Sequence, residues 1–288
     1  MNKNENWTTV KIIKWTSDYL QQRGVANSRL EAEWMLCAAT NLDRIGLYLN
    51  FDKPLDEREL SIFRSMISRR AKREPLQQIL GSEEFFGLDF EVNRDVLVPR
   101  HDTEIIVEQA LARKPGAKKV LDIGTGSGCL AITLSIHLTY SDVTAVDISE
   151  AALLVASRNS NRHGAKVRFL CGSLFQPVKD EIFDLIVSNP PYIPSDDISL
   201  LEPEVSDFDP WIALDGGKDG LDFYRTIVPE ASSHLSPGGW LLLEVGDGQS
   251  EKVAEMFVNS GLYKTPVVEP GRNGIKRLVG AEKNVLVS

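Results

Sequence analysis

The sequence predicts an α/β protein whose main part is a doubly wound, mostly parallel, seven-stranded sheet, preceded by an N-terminal helical bundle and a connecting β-hairpin. Three observations carry this. From Val120 onward, short apolar runs alternate with helical patterns, the order that builds a parallel sheet with helices on both faces. The stretch Val120-Leu121-Asp122-Ile123-Gly124-Thr125-Gly126-Ser127-Gly128 joins a strand to a helix through a glycine turn. The run Phe183-Asp184-Leu185-Ile186-Val187-Ser188 is apolar enough for a strand buried on both faces, and it stops at Asn189-Pro190-Pro191-Tyr192. A length of 288 residues fits one large or two modest domains. The pattern divides into a helical recognition domain at 1–80, a hairpin linker at 81–95 and an α/β domain at 96–288.

In the first part, Val10, Ile13, Trp15, Tyr19 and Leu20 recur near helical spacing from Thr8 to a stop at Gly24. Ser28 and Glu31 have the spacing of a capping box ahead of Leu30, Trp34, Met35, Leu36 and Ala38. A short helix near Leu42 to Leu49 and a longer one from about Asp56 to Lys72 complete the bundle. The basic run Arg69-Arg70-Ala71-Lys72-Arg73 reads either as a solvated C-terminal helix turn or as a contact surface for an acidic partner.

Glu84 to Val92 forms two short strands about Gly87. Pro99 then leads into a helix through Ile105, Ile106, Val107 and Leu111, with Asp102 or Thr103 as its cap. After the glycine turn come helix Cys129 to Leu138, strand Val143 to Asp147, helix Glu150 to Arg162 and strand Val167 to Cys171. Beyond Tyr192 lie helix Leu221 to His234, strand Trp240 to Val245, helix Gln249 to Ser260, and a closing pair of strands near Pro266 to Glu269 and Ile275 to Gly280. The turn Pro270-Gly271-Arg272-Asn273-Gly274 makes that pair a hairpin, which adds an antiparallel strand.

Composition narrows the function. No apolar stretch approaches the roughly 18 residues of a membrane span, and Met1 to Asn6 lacks the apolar core of a signal peptide, so a soluble, cytoplasmic protein is expected. Cys37, Cys129 and Cys171 and four scattered histidines support neither a disulfide framework nor a metal site. The net charge of −9 is uneven: residues 1–80 carry 13 Lys and Arg against 10 Asp and Glu, and the rest carry 19 against 31. Counterion release drives nucleic-acid affinity, so an acidic α/β part disfavours a long duplex and favours a protein substrate, with no stable nucleic-acid complex.

Asn189-Pro190-Pro191-Tyr192 sits at the C-terminal end of its strand, the edge at which open α/β sheets bind ligands. Proline keeps its carbonyl while losing its N–H, so Asn189 Oδ1 and the Pro190 carbonyl form an acceptor-rich surface suited to a planar NH2 group. Asp147 ends the next strand about 20 residues beyond the glycine turn, where ribose hydroxyls are recognised. The turn is GxGxG without the GxGxxG spacing of a pyrophosphate site, but together with the Asp147 strand it indicates a nucleoside-bearing cofactor; a non-catalytic dinucleotide-binding module is the alternative from another class.

These features together resemble the class I S-adenosylmethionine-dependent methyltransferases of planar amino groups, a Rossmann-like fold. Residues Phe85 to Val92, Val98-Pro99-Arg100 with Thr103-Glu104, Leu201-Glu202-Pro203-Glu204-Val205, and Ala213-Leu214-Asp215-Gly216-Gly217 with Asp219-Gly220-Leu221 extend the resemblance to the peptide chain release factor N5-glutamine methyltransferases over essentially the whole chain. The resemblance implies S-adenosyl-L-methionine as cofactor and, as protein substrate, the Gly-Gly-Gln motif of release factors in translation termination. A monomer with no membrane association is expected. A ribosomal-protein glutamine or a nucleic-acid base are the alternative substrates. It places Gly124, Thr125, Gly126, Ser127 and Gly128 against the methionine portion, Asp147 on the ribose, Phe175 against the adenine, and Asn189, Pro190, Pro191 and Tyr192 around the glutamine. Asn189, Pro190 and Tyr192 then carry catalysis, and Asn189 also touches the cofactor. His101, where relatives often have proline, and Phe175, where some have tryptophan, are departures.

Overall fold

The computed structural model describes residues 7–285, so the amino-terminal segment Met1–Asn6 lies outside the described residues. Two compact units emerge among the described residues, one of residues 7–81 with 202–208 and the other of residues 82–201 with 209–285.

The first unit is helical: α1 (Thr9–Gln21), α2 (Ser28–Thr40), α3 (Arg44–Leu49), α4 (Glu57–Arg70), α5 (Leu76–Leu80) and the short α9 (Pro203–Ser206). Its core joins Ile12, Leu20, Met35, Leu36, Phe63 and Ile67. The capping box expected at Ser28 and Glu31 does not form. Helix α2 is preceded by Asn27 without a side-chain cap, and Glu31 pairs with the buried Arg70 instead. A complete box stands at α4, where Asp56 accepts from the Glu59 N–H at 2.7 Å and Glu59 accepts from the Asp56 N–H at 2.8 Å. Asp56→Ala is expected to cost about 1 kcal/mol of stability, read by urea denaturation.

The basic run does close α4, with Arg69 and Arg70 in its last turn and Lys72 exposed, but its arginines are matched by acids within their own unit. Arg69 meets Glu74 at 2.7 Å, Arg70 meets Glu31 and Glu204, and Arg73 meets Glu202 at 2.8 Å and Glu204 at 2.6 Å. Burial pushes the Glu204 carboxyl up, yet hydrogen bonds from Arg73 and Arg70 carry it below the ordinary carboxylate value. The segment 202–208 thus joins the helical unit through charge.

The second unit opens with the antiparallel hairpin β1 (Ser82–Phe85) and β2 (Leu88–Glu91), turned by Phe86 and Gly87, both at positive φ. Phe85 and Phe90 pack with Ile106, Val107 and Leu130, so the hairpin belongs to the core of the α/β unit. The main sheet contains β3 (Lys119–Ile123), β4 (Asp142–Asp147), β5 (Val167–Cys171), β6 (Phe183–Ser188), β7 (Leu235–Glu244), β8 (Val267–Pro270) and β9 (Lys276–Glu282), in the order β5-β4-β3-β6-β7-β9-β8. Pairing is parallel except at β9, which runs antiparallel to both β7 and β8.

Apolar runs in the central strands divide between two cores by strand alternation. Leu185, Val187 and Leu242 face α6 (Glu104–Arg113) and α7 (Cys129–His137). Ile186, Leu241 and Leu243 face α10 (Asp222–His234) and α11 (Ser250–Ser260). Helix α8 (Glu150–His163) follows β4. A sheet covered on both faces has only its strand ends free for ligands. The chain leaves β3 toward β4 and β5, then returns to place β6 on the other side of β3, so the sheet reverses between β3 and β6. Ile123 pairs with Ser188 there, which sets the glycine turn beside Asn189.

Candidate active site

A cavity of about 230 Å3 opens at this reversal point. Gly124 and Gly126 form one wall, Asp147, Ile148 and Ser149 a second, Gly172 to Leu174 a third, and Ser188, Asn189, Pro190 and Pro191 the floor. Val96, Ile212, Phe223 and Ile227 make much of the remainder apolar.

The glycine turn owes its shape to β4. Its Gly124 and Thr125 N–H groups donate to the Val146 carbonyl at 2.8 and 3.1 Å, while Gly124 and Gly126 hold φ values of +72° and +55°. A Cβ at either glycine would meet no atom within 4 Å, so both present bare backbone to open space. Gly126 N–H donates to Asp147 Oδ2 at 2.8 Å and Ser149 N–H to Oδ1 at 2.9 Å. These bonds fix the carboxylate at the cavity edge and leave lone pairs on both oxygens for hydroxyl donors. An open peptide turn, a fixed carboxylate and apolar walls suit a nucleoside with a polar tail. The residues present therefore fit S-adenosylmethionine.

The remaining turn residues face inward. Thr125 donates its hydroxyl to the fully buried Asp122 at 2.6 Å, and burial lifts that carboxyl to about 7. Ser127 is buried and its carbonyl accepts from Asn159 at 2.9 Å. Gly128 starts α7 where a Cβ would press on Ile132 and Ala156. Phe175 does not line the cavity: it is 1% exposed and its ring stacks on His234 at 4.7 Å. Its neighbour Leu174, at positive φ, turns toward the cavity in its place.

At the floor, Asn189 Nδ2 donates to Thr103 Oγ1 at 3.1 Å. With Nδ2 turned to Thr103, the acceptor Oδ1 is the end of the amide that remains for a ligand. The helix expected after Pro99 does start there, but neither Asp102 nor Thr103 caps it. Residues His101–Thr103 form a 3-10 turn, and Thr103 turns its hydroxyl to Asn189. Asp102 pairs with Arg277 at 3.1 Å.

Tyr192 lies beyond the cavity lining. Its carbonyl accepts from Gln249 Nε2 at 2.8 Å, and its ring reaches Gly246. A Cβ at Gly216 would stand 2.8 Å from Tyr192 Cα, and one at Gly220 would strike the Tyr192 carbonyl, so only glycine lets residues 216–220 close over this loop. Burial pushes the Tyr192 phenol above its ordinary value and keeps it protonated. Its Oη lies 3.5 Å from Glu244 Oε1, a long contact.

Sequence reasoning named Thr103 as a cap and within the Thr103-Glu104 motif but not as the partner of Asn189, 86 positions away; Glu244, 55 positions from Asn189, went unnamed, because a glutamate at a strand's end is an ordinary residue until folding places it.

Two family models match this chain: one described as the PrmC N-terminal domain over residues 11–81, and one described as the methyltransferase small domain over residues 101–200. A release factor glutamine methyltransferase from Geobacter sulfurreducens is 56% identical over 278 residues, covering 96% of this chain and 98% of the relative. Another of the same description from Moorella thermoacetica is 41% identical over 258 residues, covering 88% and 91%. Among solved structures, a methyltransferase from Pyrococcus furiosus shares the fold with a TM-score of 0.56 at 24% identity, over 76% of this chain and all but 1% of its own, since 99% of it is covered.

Proposed function

The chain belongs to the release factor glutamine methyltransferase family, and we propose that it transfers a methyl group from S-adenosylmethionine to the side-chain amide nitrogen of the glutamine in the Gly-Gly-Gln motif of release factors. The observation that carries this reading is the orientation of Asn189, whose Nδ2 is held by Thr103 so that Oδ1 is the acceptor left at the cavity floor.

A glutamine amide is a poor nucleophile, because its lone pair is delocalised into the carbonyl, as the roughly 18–20 kcal/mol barrier to peptide rotation shows. Bound S-adenosylmethionine supplies an electrophilic sulfonium methyl group. Gly124, Gly126 and Asp147 would hold it. The task of the chain is then to place the amide. Asn189 Oδ1 and the Pro190 carbonyl together accept both amide hydrogens, which fixes the NH2 plane and turns the nitrogen lone pair into the cavity. Placement at about 3–3.5 Å can supply roughly 7–11 kcal/mol by removing positional freedom. Tyr192, a neutral phenol, supports the loop as a packed ring. Glu204 is engaged by Arg70 and Arg73 and serves the helical unit. Among the described residues no group of side chains is arranged to hold a metal ion, and no described helix is long and apolar enough to cross a membrane. Release factors act in the cytoplasm, which is where we place the enzyme.

The test offers labelled S-adenosylmethionine with intact release factor, ribosomal protein, RNA or DNA as acceptor. Label is expected in release factor. Label confined to nucleic acid or to ribosomal protein would overturn the assignment.

A further inference from the structure

Among the described residues, two of the exposed large apolar side chains line the cavity: Ile148 at 55% exposure and Ile212 at 53%. Single exposed apolar residues need no explanation, but one in the wall of a ligand cavity can be covered by what binds there. The two stand on different sides. Ile148 follows Asp147 on the cofactor side, as does Asp95, whose neighbour Val96 packs on Ala152 and Val155 of α8. Ile212 sits in the 3-10 turn Trp211–Ala213. The next residue, Leu214, accepts from the Ile193 N–H at 3.0 Å, and the Gly216 N–H donates to the Ile193 carbonyl at 2.8 Å. This turn is thereby bonded to the loop that carries Asn189, Pro190 and Pro191.

The turn is fixed at both ends, and each fixture uses a carboxylate. Asp209, whose side chain is fully buried, accepts from Arg100 Nη2 at 2.9 Å. Asp215 accepts from the Ser195 hydroxyl at 2.6 Å, the Gly217 N–H at 3.0 Å and Trp211 Nε1 at 3.2 Å. Residues 210–214 between them carry no charge, and Pro210, Ile212 and Ala213 line the cavity. A wall of carbon takes water from whatever is pressed against it and returns no hydrogen bond, so a charged side chain placed there is penalised.

We propose that Ile212 is a specificity-determining residue for the acceptor protein, and that the turn at 209–215 receives the glycine backbone beside the target glutamine. This rests on the reading of the release-factor glutamine as methyl acceptor. Chain continuity selects the occupant. With the glutamine amide held by Asn189 and the Pro190 carbonyl, its neighbours in the substrate chain lie within one or two residue lengths of it, at roughly 3.3–3.6 Å each. The Ile212 turn is bonded to that same loop. Glycine, without a Cβ, lets its backbone approach the wall closely. An acidic or basic neighbour would instead lose its water against Ile212 and find no partner, so the Gly-Gly before the glutamine is read by exclusion of alternatives.

The experiment compares wild type, Ile212→Ala, Ile212→Lys, Ile212→Asp and, as an exposed apolar control on α11, Val258→Ala. Each receives S-adenosylmethionine with intact release factor, either native or with Asp or Lys in place of one motif glycine, each position in turn. Steady-state methylation gives kcat and KM, and titration gives S-adenosylhomocysteine affinity. Ile212→Ala should raise KM for native release factor about fivefold, with kcat and S-adenosylhomocysteine affinity within about twofold of wild type, and Val258→Ala should match wild type. Wild type should use both charged motifs about tenfold less well than the native one. Ile212→Lys should favour the Asp motif over the Lys motif and Ile212→Asp the reverse, a swing of about tenfold or more in the ratio of kcat/KM values that loss of structure cannot produce. Where wild type methylates native release factor, an unchanged KM in Ile212→Ala, equal use of native and charged motifs by wild type, or one and the same ratio in Ile212→Lys and Ile212→Asp would overturn the specificity role alone. A fall in S-adenosylhomocysteine affinity that accounts for the whole loss in Ile212→Ala would do so too, by assigning the residue to the cofactor. Failure of wild type to methylate native release factor would instead overturn the reading beneath it.

Discussion

Asn189→Ala is expected to slow single-turnover methylation of intact release factor by about a hundredfold or more while leaving S-adenosylhomocysteine affinity within about tenfold of wild type. The asymmetry follows from where Asn189 stands. Its side chain ends at the cavity floor, with Nδ2 tied to Thr103 and Oδ1 left to receive one hydrogen of the substrate amide. Without that acceptor, the Pro190 carbonyl holds a single hydrogen, and the NH2 group can rotate about it. A planar amide that loses one of two fixed points spends little time with its lone pair aimed at the methyl carbon. Fold should be spared, because the backbone of this loop is held elsewhere, by Gln249 on the Tyr192 carbonyl at 2.8 Å and by the Ile193 N–H on the Leu214 carbonyl at 3.0 Å. Equal losses in transfer and in cofactor affinity would mean that Asn189 serves the cofactor instead.

Asp147→Ala is expected to show the opposite split. Hydrogen bonds to a charged group are worth about 1.5–3 kcal/mol, so S-adenosylhomocysteine affinity should fall by about one to two orders of magnitude. Part of that loss comes from the turn itself, since the Gly126 and Ser149 N–H groups lose the carboxylate that accepts both of them. Asp147→Asn distinguishes the two contributions: its single carbonyl can keep one N–H in place while the second acceptor is gone, so its affinity should lie between alanine and wild type. Isothermal titration of all three reads this directly. Affinity unchanged in Asp147→Ala would remove this carboxylate from the cofactor site.

Much of this architecture was legible in the sequence because it rests on local patterns. Strands such as Phe183–Ser188 are written as apolar runs, the glycine turn as a spacing, and the end of β6 as two prolines. Asn189 and Asp147 could be named because each directly ends a strand, and the ends of parallel strands are where an open sheet exposes side chains. What stayed hidden depends on partners far away in the chain. Ser28 and Glu31 have the spacing of a capping box, but a guanidinium 39 residues from Glu31 competes for the carboxylate and wins it. Phe175 sits where an aromatic could meet an adenine, yet its ring is taken up by His234 and the positive φ of Leu174 turns that residue to the cavity. Arg70 and Arg73 read as part of a basic patch because two of their matching acids, Glu202 and Glu204, lie 129 to 134 residues downstream. Thr103 is the clearest case: its place before a helix suggests a cap, whereas its hydroxyl is committed to Asn189, 86 residues on.

The central claim is that one amide nitrogen of one glutamine receives the methyl group. It is tested most directly by incubating the enzyme and S-adenosylmethionine with intact release factor and locating the added mass by fragmentation mass spectrometry of its peptides. A single added methyl on the side chain of the Gly-Gly-Gln glutamine, absent with Asn189→Ala over the same interval, is the predicted result. A methyl on any other residue, or full modification of that glutamine by Asn189→Ala at the wild-type rate, would contradict it.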